Sequence, residues 1–388
     1  MKINKIGVLT YIKEYANIGT NMQSYSTLKA VQKAFPGVRV ELIDYSGWKP
    51  AMRPYLSQIS LKSLLNDFTR ILKYRKFFKK NLEFSDDRLI SADLNLSLDF
   101  IKKQNYDAIF VGSDTLLELK RAGKDELTAY WLSDTIRCKK FFIAASALNV
   151  TYDGLSERQK KEMQKTVNDF TLLGVRDEAT HRLMSELIKP GDTRLITMPD
   201  PTFTQQIDYS YIDDYIKRKK ITFDKPVVCL HLLRDTQWAA ELAGLFKKAG
   251  YLVASLRPAY YADVIFTDLS PFEHIGLYKY FSLVVTHRFH DSIFCFKNFT
   301  PVIVFPEHVE DVTAYGESKN LTLFKSFDVE KTNFIANKNE VTAVHIFSIH
   351  KEAIAAFTNK KAFIEQKLAE NKASYEAFLQ QAVELCQE

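Results

Sequence analysis

Short apolar runs rich in β-branched residues alternate with amphipathic stretches over most of the chain. The apolar runs predict strands at residues 5–10, 38–45, 106–111, 140–146, 171–175, 194–198, 226–232, 251–255, 283–286 and 301–305, with 264–267 as a further candidate. The stretches between them carry apolar residues at helical spacing. This rhythm is typical of α/β proteins with parallel sheets, in which helices connect successive strands.

The rhythm falls into two blocks, which predict two Rossmann-like, doubly wound parallel-sheet domains facing a cleft. We expect the first domain over residues 1–203, a polar linker over 204–225 and the second domain over 226–350. Residues 46–100 interrupt the alternation and are interpreted as a helical, basic insertion. Residues 351–388 are expected to form C-terminal helices that pack on the domains.

Charge, cysteine spacing and the length of the apolar runs argue against several classes of function. The chain has 388 residues and a formal net charge of +6, which is too diffuse to indicate nucleic-acid binding and suits anionic small molecules or a membrane surface. Its four cysteines are widely spaced and form no C-x-x-C pair, so we expect neither a disulfide framework nor a metal site. No apolar run approaches the roughly 18 residues of a membrane span. These features favour a cytoplasmic protein, with peripheral contact at the inner face of the membrane as an option.

One stretch bears on that option. Residues 70–80 interleave basic residues with apolar and aromatic ones. On a helix this spacing produces an amphipathic cationic face, which is suited to an anionic membrane surface. The alternative is a solvated helix that covers the sheet.

Polar groups follow several predicted strands at the point where each strand ends. They are Gly112-Ser113-Asp114, Ser146 and Arg176 in the first block, and Thr286, Arg288 and His290 in the second. Because the carboxyl ends of parallel strands meet at one edge, where helix N-termini present unpaired N–H groups, we expect these residues to converge on an anionic ligand. The structural alternatives are helix caps, a surface ion pair and a satisfied histidine.

Short motifs in a fixed order then carry a family resemblance. The segments are found at residues 15–25, 107–114, 144–146, 174–177, 200–202 and 286–294. They resemble the N-Y-G-A-x-L-Q-A-Y, D-x-x-x-x-GSD, Y-A-A-S, S-V-R-E, D-P-T and T-S-R-F-H-G-x-x-F motifs of the polysaccharide pyruvyl transferase family. The resemblance covers residues 5 to about 305 and implies a glycosyltransferase-B-like architecture.

The resemblance also implies an activity: transfer of pyruvate from phosphoenolpyruvate onto two hydroxyls of a sugar, forming a cyclic ketal in a cell-surface polysaccharide precursor. Phosphoenolpyruvate would be the donor substrate, without a further cofactor, and the acceptor would be lipid-linked or nucleotide-linked.

The motif positions carry over as residue roles. His290 would be the acid/base, Asp114 a sugar-hydroxyl partner or second base, and Arg288 the third catalytic residue. The substrate-binding set would be Asn17, Gly19, Gln23, Ser113, Ser146, Arg176 and Thr286. Arginine suits the donor because its guanidinium binds carboxylate and phosphate groups bidentately. Asn17 and Gly19 are also ordinary turn formers.

The chain departs from the family pattern at several positions, where it has Thr115, Leu117, Ala147-Leu148, His287 and Asp291. Asp291 replaces a glycine and adds negative charge where an anionic donor would approach, unless it caps the helix. Two other functions therefore stay open. One is a nucleotide-sugar glycosyltransferase of the same fold, although no G-x-G-x-x-G loop occurs. The other is a saccharide-binding family member without turnover.

Overall fold

The computed structural model describes residues 3–13, 17–47, 61–120, 122, 125–148, 150–232, 237–306 and 318–388. Residues 15 and 16 of the first motif, and residues 48–60 of the expected insertion, lie outside this part of the chain. Within the part described, no helix has both the length and the apolar character needed to cross a membrane.

The first seven strands form one parallel sheet. They are β1 (Lys5–Leu9), β2 (Arg39–Ser46), β3 (Phe84–Ile90), β4 (Ala108–Val111), β5 (Lys139–Ala145), β6 (Leu172–Val175) and β7 (Leu195–Thr197). Their order across the sheet is β3-β2-β1-β4-β5-β6-β7. The connecting helices are α1 (Ile18–Ala34), α2 (Leu61–Asn81), α3 (Leu94–Lys103), α4 (Glu157–Asn168) and α5 (Glu178–Leu187), with a short 3₁₀ helix at Ala129–Trp131.

Helix α6 (Ser210–Lys219) leads to a second, five-stranded parallel sheet. Its strands are β8 (Val227–His231), β9 (Leu252–Ser255), β10 (Val264–Ile265), β11 (Leu283–Thr286) and β12 (Val302–Val304), in the order β10-β9-β8-β11-β12. The remaining helices are α7 (Gln237–Lys248), α8 (Pro271–Leu277), α9 (Phe289–Lys297), α10 (Lys319–Ser326), α11 (Glu330–Asn333), α12 (Ala343–Asn359) and α13 (Lys361–Gln387). Further 3₁₀ helices lie at Pro201–Thr204, Tyr278–Tyr280 and Lys338–Glu340.

Two parallel α/β sheets with a helical tail confirm the predicted fold class. The central strands read as near-continuous apolar runs because helices cover both faces of each sheet; β4 and β11, for example, are buried along their whole length. The order of each sheet reverses beside its first strand, between β1 and β4 and between β8 and β11. Ligands of open α/β sheets bind outside the strand ends at such switch points.

The interpretation of residues 46–100 as an insertion is wrong. Strand β3 pairs in parallel with β2, so α2 and α3 are ordinary crossover helices of the same alternation. The apolar pattern missed this strand because it lies at the edge of the sheet and exposes the charged run Asp86, Asp87 and Arg88. Charged side chains are common on edge strands, where they discourage pairing with another chain.

The expected linker contains a helix, and the helices of the tail pack on both domains. Within 204–225, α6 buries Ile212, Tyr215 and Ile216 and packs on α8 of the second domain. Helix α12 begins before residue 351 and packs on α7, whereas α13 crosses back to α1 and to the 3₁₀ helix at Pro201–Thr204. The domain boundaries drawn from the sequence stay a proposal.

Candidate active site

His290 is the point at which the two domains meet. It is the second residue of α9, just after β11, and its imidazole lies against Gly19 in the first turn of α1. A Cβ atom added to Gly19 would lie 2.2 Å from Nδ1 of this ring, so only glycine leaves room for it. The Nε2 atom of His290 lies 3.6 Å from Oδ2 of Asp200, which follows the last strand of the first sheet.

Asp200 is the hub of this junction. Its carboxylate accepts hydrogen bonds from Nε2 of Gln23 at 2.7 Å and from Nη1 of Arg176 at 2.8 Å, and also from the backbone N–H and hydroxyl of Thr202. Its side chain is 1% exposed. Burial raises the pKa of Asp200, but His290, Arg176 and Thr202 together hold it well below its usual range. The carboxylate is therefore a fixed negative charge beside the imidazole.

Arg176 follows β6 and is buried with Asp200, which contradicts the alternative of a surface ion pair. Burial lowers the pKa of Arg176, but Asp200, Asp114 and Asp177 outweigh that effect and raise it overall. The guanidinium carbon also lies 5.4 Å from the centre of the Phe289 ring. The adjacent acid, Asp177, instead caps α5 by accepting from the backbone N–H of Thr180.

Lys319 is a cation of this region that the sequence did not reveal. It is the first residue of α10 and lines a groove of about 310 Å³ together with Arg176, Asp177, Asp200 and Phe289. Burial lowers the pKa of Lys319 to about 8, and the charge of Arg176 acts in the same direction. Two cations held among carboxylates can exchange those partners for the anionic groups of a ligand.

Asp114 lies at the switch point of the first sheet, after β4. Its Oδ2 accepts from the Thr20 hydroxyl at 3.0 Å, and its φ of 84° is in the left-handed region, which residues with side chains rarely occupy. Strained backbone of this kind clusters at functional sites. Neighbouring Ser113 is fully buried, with its hydroxyl 3.3 Å from that of Thr27, so it shapes the turn from the inside.

Other predicted binding residues make framework contacts. Asn17 caps α1 by accepting from the backbone N–H of Thr20, and the buried Ser146 accepts through its carbonyl from the N–H of Leu117. The Thr286 hydroxyl oxygen accepts from the backbone N–H of Arg288 at 3.1 Å. Contact of these residues with a substrate stays a prediction.

Asp291 does not face the cleft, contrary to the expectation of repulsion, and it does not cap α9, whose N-cap is Arg288. It is fully buried, and its carboxylate accepts from the Tyr278 and Thr286 hydroxyls, each at 2.8 Å. Nδ1 of His231 lies 2.5 Å from its Oδ2. Burial raises the pKa of Asp291, but His231 and the charge of Arg288 outweigh that effect and hold the pKa well below its usual range.

His231 is the second residue that sequence reasoning missed. It ends β8 at the switch point of the second sheet, so the strand-end rule applied to 226–232 would have found it. Burial lowers the pKa of His231, and the neutral ring donates through Nδ1 to Asp291, which leaves Nε2 as an acceptor. The ring lines a small interdomain cavity with Arg288, His274 and Arg70. A carboxylate that orients an imidazole beside a guanidinium is suited to acid/base chemistry on an anion.

In the part of the chain that the structure describes, no cluster of three or more His, Cys, Asp or Glu side chains is placed to hold a metal ion. The absence of a metal requirement stays a prediction.

Solved structures with this two-domain architecture confirm the glycosyltransferase-B-like prediction. The UDP-GlcNAc 2-epimerase from Methanocaldococcus jannaschii has a TM-score of 0.57 at 11% identity, with 98% of this chain and 99% of that chain covered. The UDP-GlcNAc 2-epimerase from Neisseria meningitidis bound to UDP-GlcNAc has a TM-score of 0.53 at 11% identity, over 98% and 100%. S. aureus MnaA, in a co-structure with UDP, has 0.53 at 11%, over 98% and 94%. At this identity the likeness establishes the fold alone.

No curated protein sequence matches this chain. The family model of polysaccharide pyruvyl transferases, in contrast, matches residues 17–308, which include Gly19, Asp114, Arg176, Asp200 and His290. These are the residues that meet at the junction of the two domains. The match spans most of the chain, and the chain therefore belongs to the polysaccharide pyruvyl transferase family.

Proposed function

We propose that the protein transfers pyruvate from phosphoenolpyruvate onto two hydroxyls of a sugar in a cell-surface polysaccharide precursor, forming a cyclic ketal. The observation that carries the proposal is the junction at His290, where the imidazole, the Arg176–Asp200 pair and Asp114 come from strand ends of both domains. Family membership supports the choice of donor over a nucleotide sugar.

The proposed reaction requires two proton movements. Both sugar oxygens form bonds to the enol carbon of the donor, whose C=C π bond and bond to the phosphate oxygen break. One hydroxyl proton goes to the methylene carbon, which becomes a methyl group, and the other leaves with inorganic phosphate. His290 carries the proton to or from the reacting atoms. Its position 3.6 Å from the Asp200 carboxylate stabilises positive charge on the ring during that step. Such acid/base catalysis contributes about 10²–10⁴-fold in rate.

The anionic donor needs cationic partners. Arg288 at the start of α9 and Arg176 at the end of β6 are the proposed partners of the carboxylate and phosphate, with Lys319 as a third cation. Asp114 is the proposed partner of a sugar hydroxyl, since its carboxylate faces Thr20 at the mouth of the first switch point.

We propose a cytoplasmic location and an acceptor that is lipid-linked or nucleotide-linked. The four cysteines are free, which suits a reducing compartment. Peripheral contact with the membrane would bring the protein to a lipid-linked acceptor.

The test is incubation of the full chain with phosphoenolpyruvate and a panel of galactosides, mannosides and N-acetylhexosamines. We expect phosphate release coupled to a pyruvate-sized mass gain of one acceptor. His290→Ala should abolish turnover without changing the fold, whereas His345→Ala, on the remote helix α12, should not. Turnover with nucleotide sugars alone would favour the glycosyltransferase, and saccharide binding without turnover of either donor would favour a non-catalytic member.

A further inference from the structure

Helix α2 presents a stripe of large apolar side chains to solvent. Leu65 and Phe68 are each 61% exposed and Leu72 is 48% exposed. Their spacing of three and four residues places them on one face of the helix. Globular proteins expose single apolar residues freely, but a contiguous group marks an interaction surface.

The aromatic residues of the 70–80 stretch do not belong to the stripe. These residues, Tyr74, Phe77 and Phe78, are buried in an apolar cluster that includes residues of both domains. Of the exposed apolar residues, Leu65 and Phe68 precede this stretch and Leu72 lies within it. One side of α2 is thus buried against the protein, and the opposite side carries the stripe.

Basic side chains continue the same face. Arg75, Lys76 and Lys79 follow Leu72 at spacings of three, four and seven residues, and all three are exposed. The acid of this helix, Asp67, is buried and pairs with Arg70 on the other side. The exposed face of α2 therefore combines apolar side chains with positively charged ones.

A groove beside this face extends the positive surface. It has a volume of about 590 Å³ between α2, α6 and α8, and Lys76 and Lys80 line one wall while Arg218 and Lys219 line the other. Two buried acids at its base, Glu273 and Asp268, pair with part of this charge. Glu273 also pairs with Lys73 of α2, and Lys76 and Lys80 add further positive charge to the groove.

We propose that the α2 face, formed by Leu65, Phe68, Leu72, Arg75, Lys76 and Lys79, docks on the surface of an anionic lipid bilayer. A bilayer fits better than a protein partner because it supplies continuous negative charge at headgroup level together with an apolar layer just below. The apolar stripe runs from Leu65 to Leu72, a rise of about 10 Å along the helix axis, so α2 can lie parallel to such a surface.

The same helix reaches the candidate active site. Arg70, on the buried side of α2, lines the interdomain cavity with His231 and Arg288. The stripe and this cavity thus lie on two sides of one helix, and we expect an acceptor anchored in the docked membrane to reach the residues of the proposed reaction. Docking itself does not depend on the proposed chemistry.

The test is flotation of the full chain with vesicles of phosphatidylcholine alone or mixed with phosphatidylglycerol, without phosphoenolpyruvate. We expect binding to the mixed vesicles that weakens as salt is raised. The variant Arg75→Gln/Lys76→Gln/Lys79→Gln should lose about fivefold in partitioning per charge removed. The variant Leu65→Gln/Phe68→Gln/Leu72→Gln should lose at least about tenfold.

Matched controls use other exposed residues. The pair Tyr260→Gln/Val344→Gln removes apolar groups that are 70% and 64% exposed, and Lys325→Gln/Lys331→Gln/Lys351→Gln removes charges from other helices. Both should bind as the wild type does. Wild-type binding that ignores vesicle charge, or equal losses in the controls, would overturn the proposal. Thermal unfolding of each variant verifies that it is folded.

Vesicle binding is measured without phosphoenolpyruvate, so it can be observed whether or not the protein is a pyruvyl transferase. If both proposals hold, the apolar variant keeps its turnover on a water-soluble acceptor and loses it on one anchored in vesicles.

Discussion

Replacing Gly19 with alanine should disable His290 without touching it. Gly19 is the second residue of α1, and a Cβ there would lie 2.2, 2.5 and 2.8 Å from Nδ1, Cγ and Cε1 of the imidazole. Ordinary van der Waals contacts begin at 3.4 Å. The contact is with the body of the ring, so a small rotation does not relieve it.

The imidazole must therefore move by about an ångström or more, which breaks its 3.6 Å contact with the Asp200 carboxylate. If His290 is the acid/base of pyruvyl transfer, kcat should fall by about 10²–10⁴-fold, as expected for loss of that group. Helix propensity acts in the opposite direction, because alanine is favoured over glycine in a helix by about 0.5–1 kcal/mol. The steric effect should outweigh that gain.

Gly244→Ala is the matched control. Gly244 lies inside α7, and a Cβ there meets no atom within 4 Å. This variant should keep full activity and gain about 0.5–1 kcal/mol in the free energy of unfolding.

The assay is kcat and KM for phosphoenolpyruvate, together with the imidazole resonances of His290 assigned by its alanine variant. Wild-type turnover and an unshifted His290 resonance in Gly19→Ala would refute the packing argument. A shifted resonance with unchanged turnover would instead remove His290 from the mechanism.

Three further predictions concern buried charges. Asp200→Asn leaves the Arg176 guanidinium buried without its counter-ion and should lower the free energy of unfolding by about 3–5 kcal/mol in a denaturant titration. Lys319 has a folded pKa of about 8, below its unfolded value, so the unfolded chain binds more protons between about pH 8 and 10 and stability rises with pH there. Lys319→Met should reduce that slope by up to about 1.4 kcal/mol per pH unit. Asp291→Asn offers one acceptor oxygen to three donors and should cost about 1–3 kcal/mol at pH 7. Because the folded pKa of Asp291 is depressed, that difference should shrink as pH falls below about 4.

Substitutions of exposed charged residues are the controls for these variants. Asp86→Asn interrupts a surface ion pair with Arg39 and should leave the unfolding midpoint nearly unchanged. Lys325→Met, on the exposed side of α10, should keep the wild-type dependence on pH. Equal effects of Asp200→Asn and Asp86→Asn would contradict the assignment of Asp200 as a buried hub.

Much of the fold could be predicted from local pattern. Central strands such as β4 and β11 are buried on both faces, so their apolar runs are unmistakable in the sequence. Edge strand β3 was missed because one side of it meets solvent and its charged residues hide the pattern. The tail was predicted as helical, but its return across the first domain depends on contacts with α1 that no local spacing encodes.

The sequence indicated which residues belong to the candidate site, but not which of them contact each other. The strand-end rule and the motifs found His290, Arg176 and Asp114. They did not find that Asp200 lies between His290 and Arg176, or that Gly19 makes room for the imidazole.

By itself the sequence determined periodicity, helix starts and the residue types at strand ends, because these depend on neighbours within a few positions. The tertiary structure decided which charges meet. The Gln23–Asp200 bond spans 177 positions, and the His231–Asp291 contact spans 60. Asp291 shows the difference most clearly: the chain places it beside His290, yet the helix turns its carboxylate inward to His231 and Tyr278. A charge adjacent in sequence repels or stabilises only according to where its side chain is buried, and packing across the two sheets determines that.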